Sequence, residues 1–410
     1  MRVLILSWEY PPVVEGGLAR HVHKLATHLA AQGHEIHVLT RATTGSPTDD
    51  GPTLEEGVHL HRVPEPAKPS DMDAFLEWIA AMNHDMTVRG RGLLDGAAFD
   101  LVHGHDWLVA SAADHLARHA DLPMVATIHA TEYGRHQGWV GRHPQSHIHG
   151  IETWMARRAD RTITCSHYMR GHVSDVFGLD ETRVQVIPNG IDAADLLEHE
   201  DLDALRARFA APDERLVLLV GRLVYEKGFQ FALDALGGPD GVIERVGGVR
   251  FVVAGSGTHE EELHRQAADL GLDAHGTFVG WIDDHLLHAL YRISDLCVVP
   301  SIFEPFGLVA LEAMASGCPC IVADSGGLRE VVPEDQVDLR FPSRDPVALG
   351  ALMERLLTDD ALRARVVERA SEHVRRFDWA EIARETAALY AELVAERPVV
   401  RATVPSPTHG

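Results

Sequence analysis

Residues 2–40 read RVLILSWEYPPVVEGGLARHVHKLATHLAAQGHEIHVLT. RVLILS is a short apolar run of strand length. PPVVEGGL is rich in turn formers. Leu18, Val22, Leu25 and Leu29 then recur at three to four residues, the spacing of one buried helix face. Gly33 follows as a left-handed helix stop, and EIHVLT opens the next strand. A strand, a loop, a helix and a second strand in that order begin a doubly wound parallel sheet. Ligands of such sheets bind beyond the carboxyl ends of the strands, so the residues just after each strand carry the functional information.

Outward from this unit, strand patterns return at FDLVHGH, MVATIHA, DRTITCS and VQVIPNG, with helical patterns between them. A second series starts near residue 215 with RLVLLVGRL, VRFVVAG, GTFVGWI, DLCVVPS and PCIVADS. GFQFALDALG and HEEELHRQAADLG are helical segments of that series. The expected fold class is α/β, with two doubly wound parallel-sheet domains facing a cleft and joined near Pro188–Asp192. A length of 410 residues suits two domains. The expected division is 1–190, 191–379, a C-terminal helix over 380–397 that packs back towards the first domain, and a disordered tail over 398–410. The polar stretches 42–57 and 64–73 read as surface loops.

Composition narrows the partners. The net charge is −24, which disfavours nucleic acid and anionic membranes, since both reward basic patches. A small anion held by a few local cations is still compatible. The four cysteines, Cys165, Cys297, Cys318 and Cys320, form no CxxC pair and read as reduced, packed thiols. There is no signal-peptide pattern and no apolar run of about 18 residues, so the expected location is cytoplasmic, without a transmembrane segment. A homo-oligomer is compatible with the sequence.

The strand ends hold distinctive residues. Gly16-Gly17 precede the first helix; such a pair fits either close backbone approach to an anion or a plain turn. LVHGHDWL places His105 and Asp106 past a strand, and MVATIHATE places His129 at the end of the next. His103, inside its strand, reads as structural. Among 27 histidines, most, such as His59 and His61, read as surface residues. No HExxH-like spacing supports a metal. In the second half, LLVGRLVYEKGF sets Arg222 beyond a strand and Lys227 five residues later. A guanidinium fork and an ammonium in an acidic protein suit a diphosphate; surface ion pairs are the plainer alternative. AGSG brings Ser256 and Gly257 to another strand end. EPFGLVALE places Glu304 before a helix expected to start over Phe306–Val309, and Glu312 inside it, about 12 Å apart at ~1.5 Å per residue. At that spacing the carboxylates cannot act as an acid/base pair on one atom, but they can touch opposite ends of an extended ligand. The first helical amides lack intrahelical acceptors and are free for a phosphate or sugar oxygen.

With EYPPVVEGGL, HGHDW, TIHATE, IPNGID, GRLVYEKG, AGSG and EPFGLVALEAMASGCPCIVADSGGLRE in this order, the chain resembles the retaining glycosyltransferases of family 4, over about residues 1–397. SWEYPPVVEGGLARHV is most similar to their glycogen- and starch-synthase-like branch and to actinobacterial α-1,4-glucosyltransferases. The resemblance implies a GT-B fold, two Rossmann-like domains of which the first takes the acceptor and the second the nucleotide sugar. It implies that Arg222 and Lys227 neutralise the donor diphosphate, that Glu312 bonds the ribose, and that Glu304 with the backbone of Phe306, Gly307 and Leu308 holds the donor sugar. Gly17 would admit the first-domain loop to the phosphates, and Ser256 and Gly257 would lie near the nucleotide. His129 would lie near the reacting sugar, with Gly16, His105, Asp106 and Asn189 at the acceptor side or domain junction. The chain departs from the bacterial glycogen-synthase pattern at Val14, where a lysine is usual, and PEDQVDLRFPS lacks the glycine usual in that turn.

The implied activity is transfer of glucose from ADP-glucose or UDP-glucose to an α-glucan or maltooligosaccharide, with retention and without a metal or other cofactor. Alternatives are glucose 1-phosphate or another sugar or lipid as acceptor, a phosphorylase, a nucleotide-sugar epimerase, and a non-catalytic nucleotide-sugar-binding regulator.

Overall fold

The structure, a computed structural model, describes residues 1–43, 53–65, 69, 71–192, 196 and 201–396. Among these, eight strands form the first sheet: β1 (Arg2–Leu6), β2 (Glu35–Arg41), β3 (Thr53–Glu55), β4 (Val58–Val63), β5 (Leu101–His105), β6 (Met124–Ile128), β7 (Arg161–Thr164) and β8 (Val184–Val186). Their order is β3-β4-β2-β1-β5-β6-β7-β8. The second sheet holds β9 (Arg215–Val220), β10 (Val249–Ala254), β11 (Gly276–Gly280), β12 (Leu296–Val299), β13 (Cys320–Ala323) and β14 (Arg340–Phe341), in the order β11-β10-β9-β12-β13-β14. All pairings are parallel except β3 on β4. In each sheet the strand order reverses beside the first strand, at β1/β5 and at β9/β12. Loops leaving neighbouring strands there diverge and open a crevice.

The apolar strands explain this layering. Val3 to Leu6 and Leu216 to Leu219 are fully buried, as expected of strands covered on both faces. The helix Gly17–Ala31 buries Val22, Leu25, Ala26 and Leu29, and Gly33 takes the left-handed conformation at φ 87°. The C-terminal part is helical at Pro346–Thr358, Asp360–His373 and Trp379–Glu396. The last helix lies in the first domain's core: Trp379, Ile382, Tyr390 and Leu393 share an apolar cluster with Val3, Ile5, Val22 and Leu29. The two chain crossings run side by side, with Ile191 N–H donating to the Phe377 carbonyl at 2.6 Å. A Cβ on Gly190 would lie 2.5 Å from the Trp379 ring, so glycine lets that helix dock.

The domains also touch directly. A Cβ on Gly134 would lie 2.2 Å from the Phe303 ring. Ser166 Oγ donates to the Pro305 carbonyl at 2.7 Å. The Glu330 carboxylate accepts from His167 N and Tyr168 N, both at 2.8 Å, and so caps the helix His167–Phe177 of the other domain.

Three expectations change. Residues 53–55 of the anticipated 42–57 loop form β3, because its backbone pairs with β4; residues 44–52, and parts of 64–73, lie outside the described residues, as does the anticipated tail. His61 is not a surface residue but 1% exposed, and His59 is half-buried, since both lie on β4 inside the sheet. The helix after EPFG starts at Leu308 rather than Phe306, with Gly307 as its N-cap at φ 116°. Among the described residues, no helix is long and apolar enough to cross a membrane.

Candidate active site

In the second domain the β9 and β12 loops are locked backbone to backbone. Glu226 O accepts from Ile302 N at 2.8 Å and from Phe303 N at 3.3 Å. Gly228 has φ 73°, and a Cβ there would lie 2.0 Å from the Pro300 carbonyl oxygen. Only glycine allows this approach, and its result is a contact: Lys227 Nζ donates to Glu304 Oε2 at 2.6 Å. Ser301 Oγ donates to the same oxygen at 3.1 Å. Gly326 and Gly327 sit under this loop, with Gly327 N–H donating to Glu304 O at 2.9 Å. Arg222 leaves the end of β9 with an exposed side chain. Ser256 and Gly257 pack onto its loop, since Leu223 N–H donates to Ser256 O at 2.9 Å and a Cβ on Gly257 would lie 2.3 Å from Leu223 O.

The opening of the helix Leu308–Ala315 completes this half. Leu311 N–H is bonded to Gly307 O at 3.1 Å; the amides before it have no intrahelical acceptor. The Phe306 ring is buried against Phe377, with ring centroids 5.7 Å apart, so only its backbone is available to a ligand. Glu304 stands outside the helix, and the helical rise used to space it from Glu312 covers only the Leu308–Glu312 part. Glu312 Oε2 accepts from Tyr291 Oη at 2.9 Å. Its Oε1 lies 3.5 Å from Arg20 Nη1, a first-domain group that also pairs with Asp284. Burial pushes the Glu312 carboxyl up, opposed by Arg20.

In the first domain Glu9 shapes the loop after β1. One of its carboxylate oxygens accepts from Glu15 N at 2.5 Å and Gly16 N at 3.2 Å. Gly17 then meets the other lobe: its Cβ would lie 3.2 Å from Leu308 Cδ1. Val14 is exposed, and Glu15 beside it is paired with Arg41 at 2.8 Å.

His129, His105, Asp106 and Asn189 converge. His105 Nδ1 and His129 Nε2 are 3.1 Å apart, one ring donating to the other. His21, from the first helix, has its ring centroid 4.6 Å from that of His129 and bonds Asn189 Oδ1 through Nδ1 at 2.9 Å. Asp106 Oδ1 accepts from His129 N at 2.8 Å, so this carboxylate fixes the His129 backbone. Asp106 itself is held at φ 59° and ψ 170°, a positive-φ conformation that costs energy outside glycine. His103 is buried between Tyr390 Oη at 2.6 Å and Thr127 Oγ1 at 2.7 Å, a structural placement. Burial pushes His129 down to about 3, helped by the charge of Arg135. Asp106 is pushed up to about 6 by burial, against Arg135 and the His129 amide. His129 is therefore a neutral imidazole near neutral pH, able to donate or accept one hydrogen bond but carrying no charge.

Sequence reading missed Glu9, Arg20, His21, Tyr291 and Ser301. Arg20 and His21 lie one turn past Gly17, a position within reach of the strand ends; Tyr291 carries no sequence signal, because only packing brings it to Glu312.

Comparison with known proteins gives one picture. Residues 15–195 match the model of Glycosyltransferase Family 4, and residues 203–373 that of Glycosyl transferases group 1. The chain is 40% identical to the glycogen synthase of Mycobacterium tuberculosis (strain CDC 1551 / Oshkosh) over 411 aligned residues, covering 97% of this chain and 95% of the relative. Among solved structures, the sucrose-phosphate synthase from Thermosynechococcus elongatus has a TM-score of 0.80 at 24% identity and covers 97% of this chain and 100% of its own. The catalytic domain of starch synthase IV from Arabidopsis thaliana, bound to ADP and acarbose, has a TM-score of 0.75 at 20% identity and covers 96% and 99%. At these identities the two structures establish the shared two-domain fold.

Proposed function

The chain belongs to the family 4 glycosyltransferases, and from that membership we propose that it moves glucose from ADP-glucose or UDP-glucose to an α-glucan or maltooligosaccharide, with retention, in the cytoplasm. The observation that carries this reading is the Lys227–Glu304 contact at 2.6 Å, set beside exposed Arg222 at the carboxyl ends of β9 and β12. It supports a reading in which a cation for a leaving diphosphate stands beside a carboxylate for a sugar. The similarity to a glycogen synthase supports the glucan acceptor.

The chemistry follows from charge. Departure of the nucleoside diphosphate leaves negative charge on phosphate oxygens and positive charge at the anomeric carbon. Arg222, Lys227 and the free amides at Gly307 and Leu308 stabilise the first. Glu304 orients the sugar and stabilises the second. The acceptor hydroxyl attacks from the face the diphosphate leaves, and a diphosphate oxygen takes its proton. The C–O bond to the diphosphate breaks as the new glycosidic bond forms, and configuration is retained. This route requires no covalent enzyme intermediate and no metal. Neutral His129 serves as a hydrogen-bond partner for the sugar, and closure of the lobes excludes water that would hydrolyse the donor. Ser256, Gly257 and Glu312 hold the nucleotide, while Gly16 and Gly17 admit the phosphates to the first-domain loop.

The test is incubation of the chain with a panel of nucleotide sugars and with maltooligosaccharide, glucose 1-phosphate or phosphate as acceptor, reading products by mass and linkage. An α-1,4-extended glucan formed undiminished in EDTA is expected. Maltose 1-phosphate as the main product would move the acceptor to glucose 1-phosphate. Donor conversion without any acceptor would replace transfer by epimerisation, and no turnover at all would reject the reading.

A further inference from the structure

Two buried imidazoles and a half-buried third meet below the cleft, and their arrangement suits more than mutual hydrogen bonding. His21 comes from the first helix, His105 from the end of β5 and His129 from just past β6. Each offers a ring nitrogen, and the three nitrogens lie within 4.8 Å of one another. Within this group His105 Nδ1 and His129 Nε2 are 3.1 Å apart. Ligand nitrogens on a tetrahedral zinc, each at ~2.0–2.1 Å from the ion, stand about 3.3 Å apart. The pair is therefore spaced for a shared cation as well as for a shared proton.

The surroundings hold the rings in metal-ready form. His21 Nδ1 donates to Asn189 Oδ1 at 2.9 Å, which leaves Nε2 with the lone pair; an outer hydrogen bond of this kind orients a ligating histidine. His105 is fully buried, and its second ring nitrogen, Nε2, has no hydrogen-bond partner among the described residues. The Asp106 carboxylate, 2.8 Å from His129 N, adds negative charge behind the group; the nearby Arg135 opposes it. Glu35, His37 and His59 form another cluster with nitrogens and oxygens close together, but there the carboxylate already accepts from Arg2 Nε at 2.7 Å.

We propose that His21, His105 and His129 form a three-nitrogen site for a borderline-soft divalent metal such as zinc, and that a metal there blocks the sugar position rather than serving the reaction. Imidazole ligands favour zinc, copper and nickel over magnesium or calcium. The inhibitory part rests on the placement of the reacting sugar beside His129; the metal site itself does not.

Titration of the full chain with cobalt(II), followed by visible absorption, separates the two. The expected result is one ion per chain at micromolar affinity, with the intense bands of a four-coordinate site, displaced stoichiometrically by zinc. His21→Asn should weaken binding at least tenfold, His129→Asn should do the same, and Glu35→Gln should leave it unchanged. Binding only at millimolar cobalt, or equal binding by wild type and by folded His21→Asn, would overturn the site, whatever donor the chain uses. In turnover assays zinc should inhibit competitively against the nucleotide sugar, and a chelator should reverse it. Zinc seated on the cluster with turnover unchanged would overturn the inhibitory role.

Discussion

Lys227 and Glu304 illustrate how single residues set this site. The two side chains pair with each other at 2.6 Å, so on the proposed reading a diphosphate would draw Lys227 into a new pairing as it binds. Arg222→Ala and Lys227→Ala should each lower kcat/KM by about 10²–10³-fold, the range for losing one donor to a transition-state charge. Steady-state kinetics check this; turnover close to wild type in both variants would remove the diphosphate from these side chains. Glu304→Gln should lower kcat far more than it weakens nucleotide binding, measured by calorimetry. Another residue-scale expectation concerns pH. His61 is pushed down to about 4 by burial, with His37, Arg89 and His59 adding to it, and His37 is lowered as well despite its bond to Glu35. In the unfolded chain both take up protons below about 6.5. The contribution of His61 to stability is thus present above that pH and is lost as pH falls from about 6.5 towards 4, by roughly 1 kcal/mol per pH unit; His37 acts in the same direction. His61→Leu should flatten the fall of Tm over this window; an unchanged slope would show that His61 is not buried neutral.

At the scale of elements, function follows from what terminates each strand. Gly228 turns the chain after β9 so that Lys227 lies over the β12 loop, and its φ of 73° with the Pro300 oxygen 2.0 Å from a Cβ leaves no room for alanine. Gly228→Ala should cost more than about 2 kcal/mol of stability and also abolish turnover, since the loop carries Lys227 with it; urea unfolding reads the first. The helix His167–Phe177 is capped across the domain junction by Glu330. Glu330→Gln should lower stability by about 1 kcal/mol, with kcat altered little. The strand ends were legible in sequence because Gly-Arg, Gly-Ser-Gly and Glu-Pro-Phe-Gly interrupt apolar runs. The histidine group was half legible: His105 and His129 follow strands, but His21 lies on a helix, and its approach depends on how that helix packs over β1.

At the scale of the whole molecule, the lobes are joined by Arg20. Its guanidinium spans from the first helix to Asp284 and to Glu312, the carboxylate assigned to the ribose. On the proposed reading a bound nucleotide would have to share or displace it, which would couple donor binding to the closure of the lobes. Arg20→Ala should leave the unliganded chain more open, seen as a larger radius of gyration in X-ray scattering. Salt should open the wild type in the same direction, because an exposed ion pair is screened; identical scattering curves for variant and wild type would remove Arg20 from closure.

Periodicity and punctuation alone determined the two parallel sheets, since strand length, helical spacing and glycine stops are local properties of the chain. They also determined which loops leave the strand ends, and so where Arg222, Lys227, Glu304 and His129 sit along the fold. The pairings were decided only by tertiary structure: Lys227 with Glu304, Glu312 with Tyr291 and Arg20, His21 with Asn189 and His129. Those contacts join residues as many as 292 positions apart in sequence, and no local pattern encodes a distance that depends on how one packed layer is laid upon another.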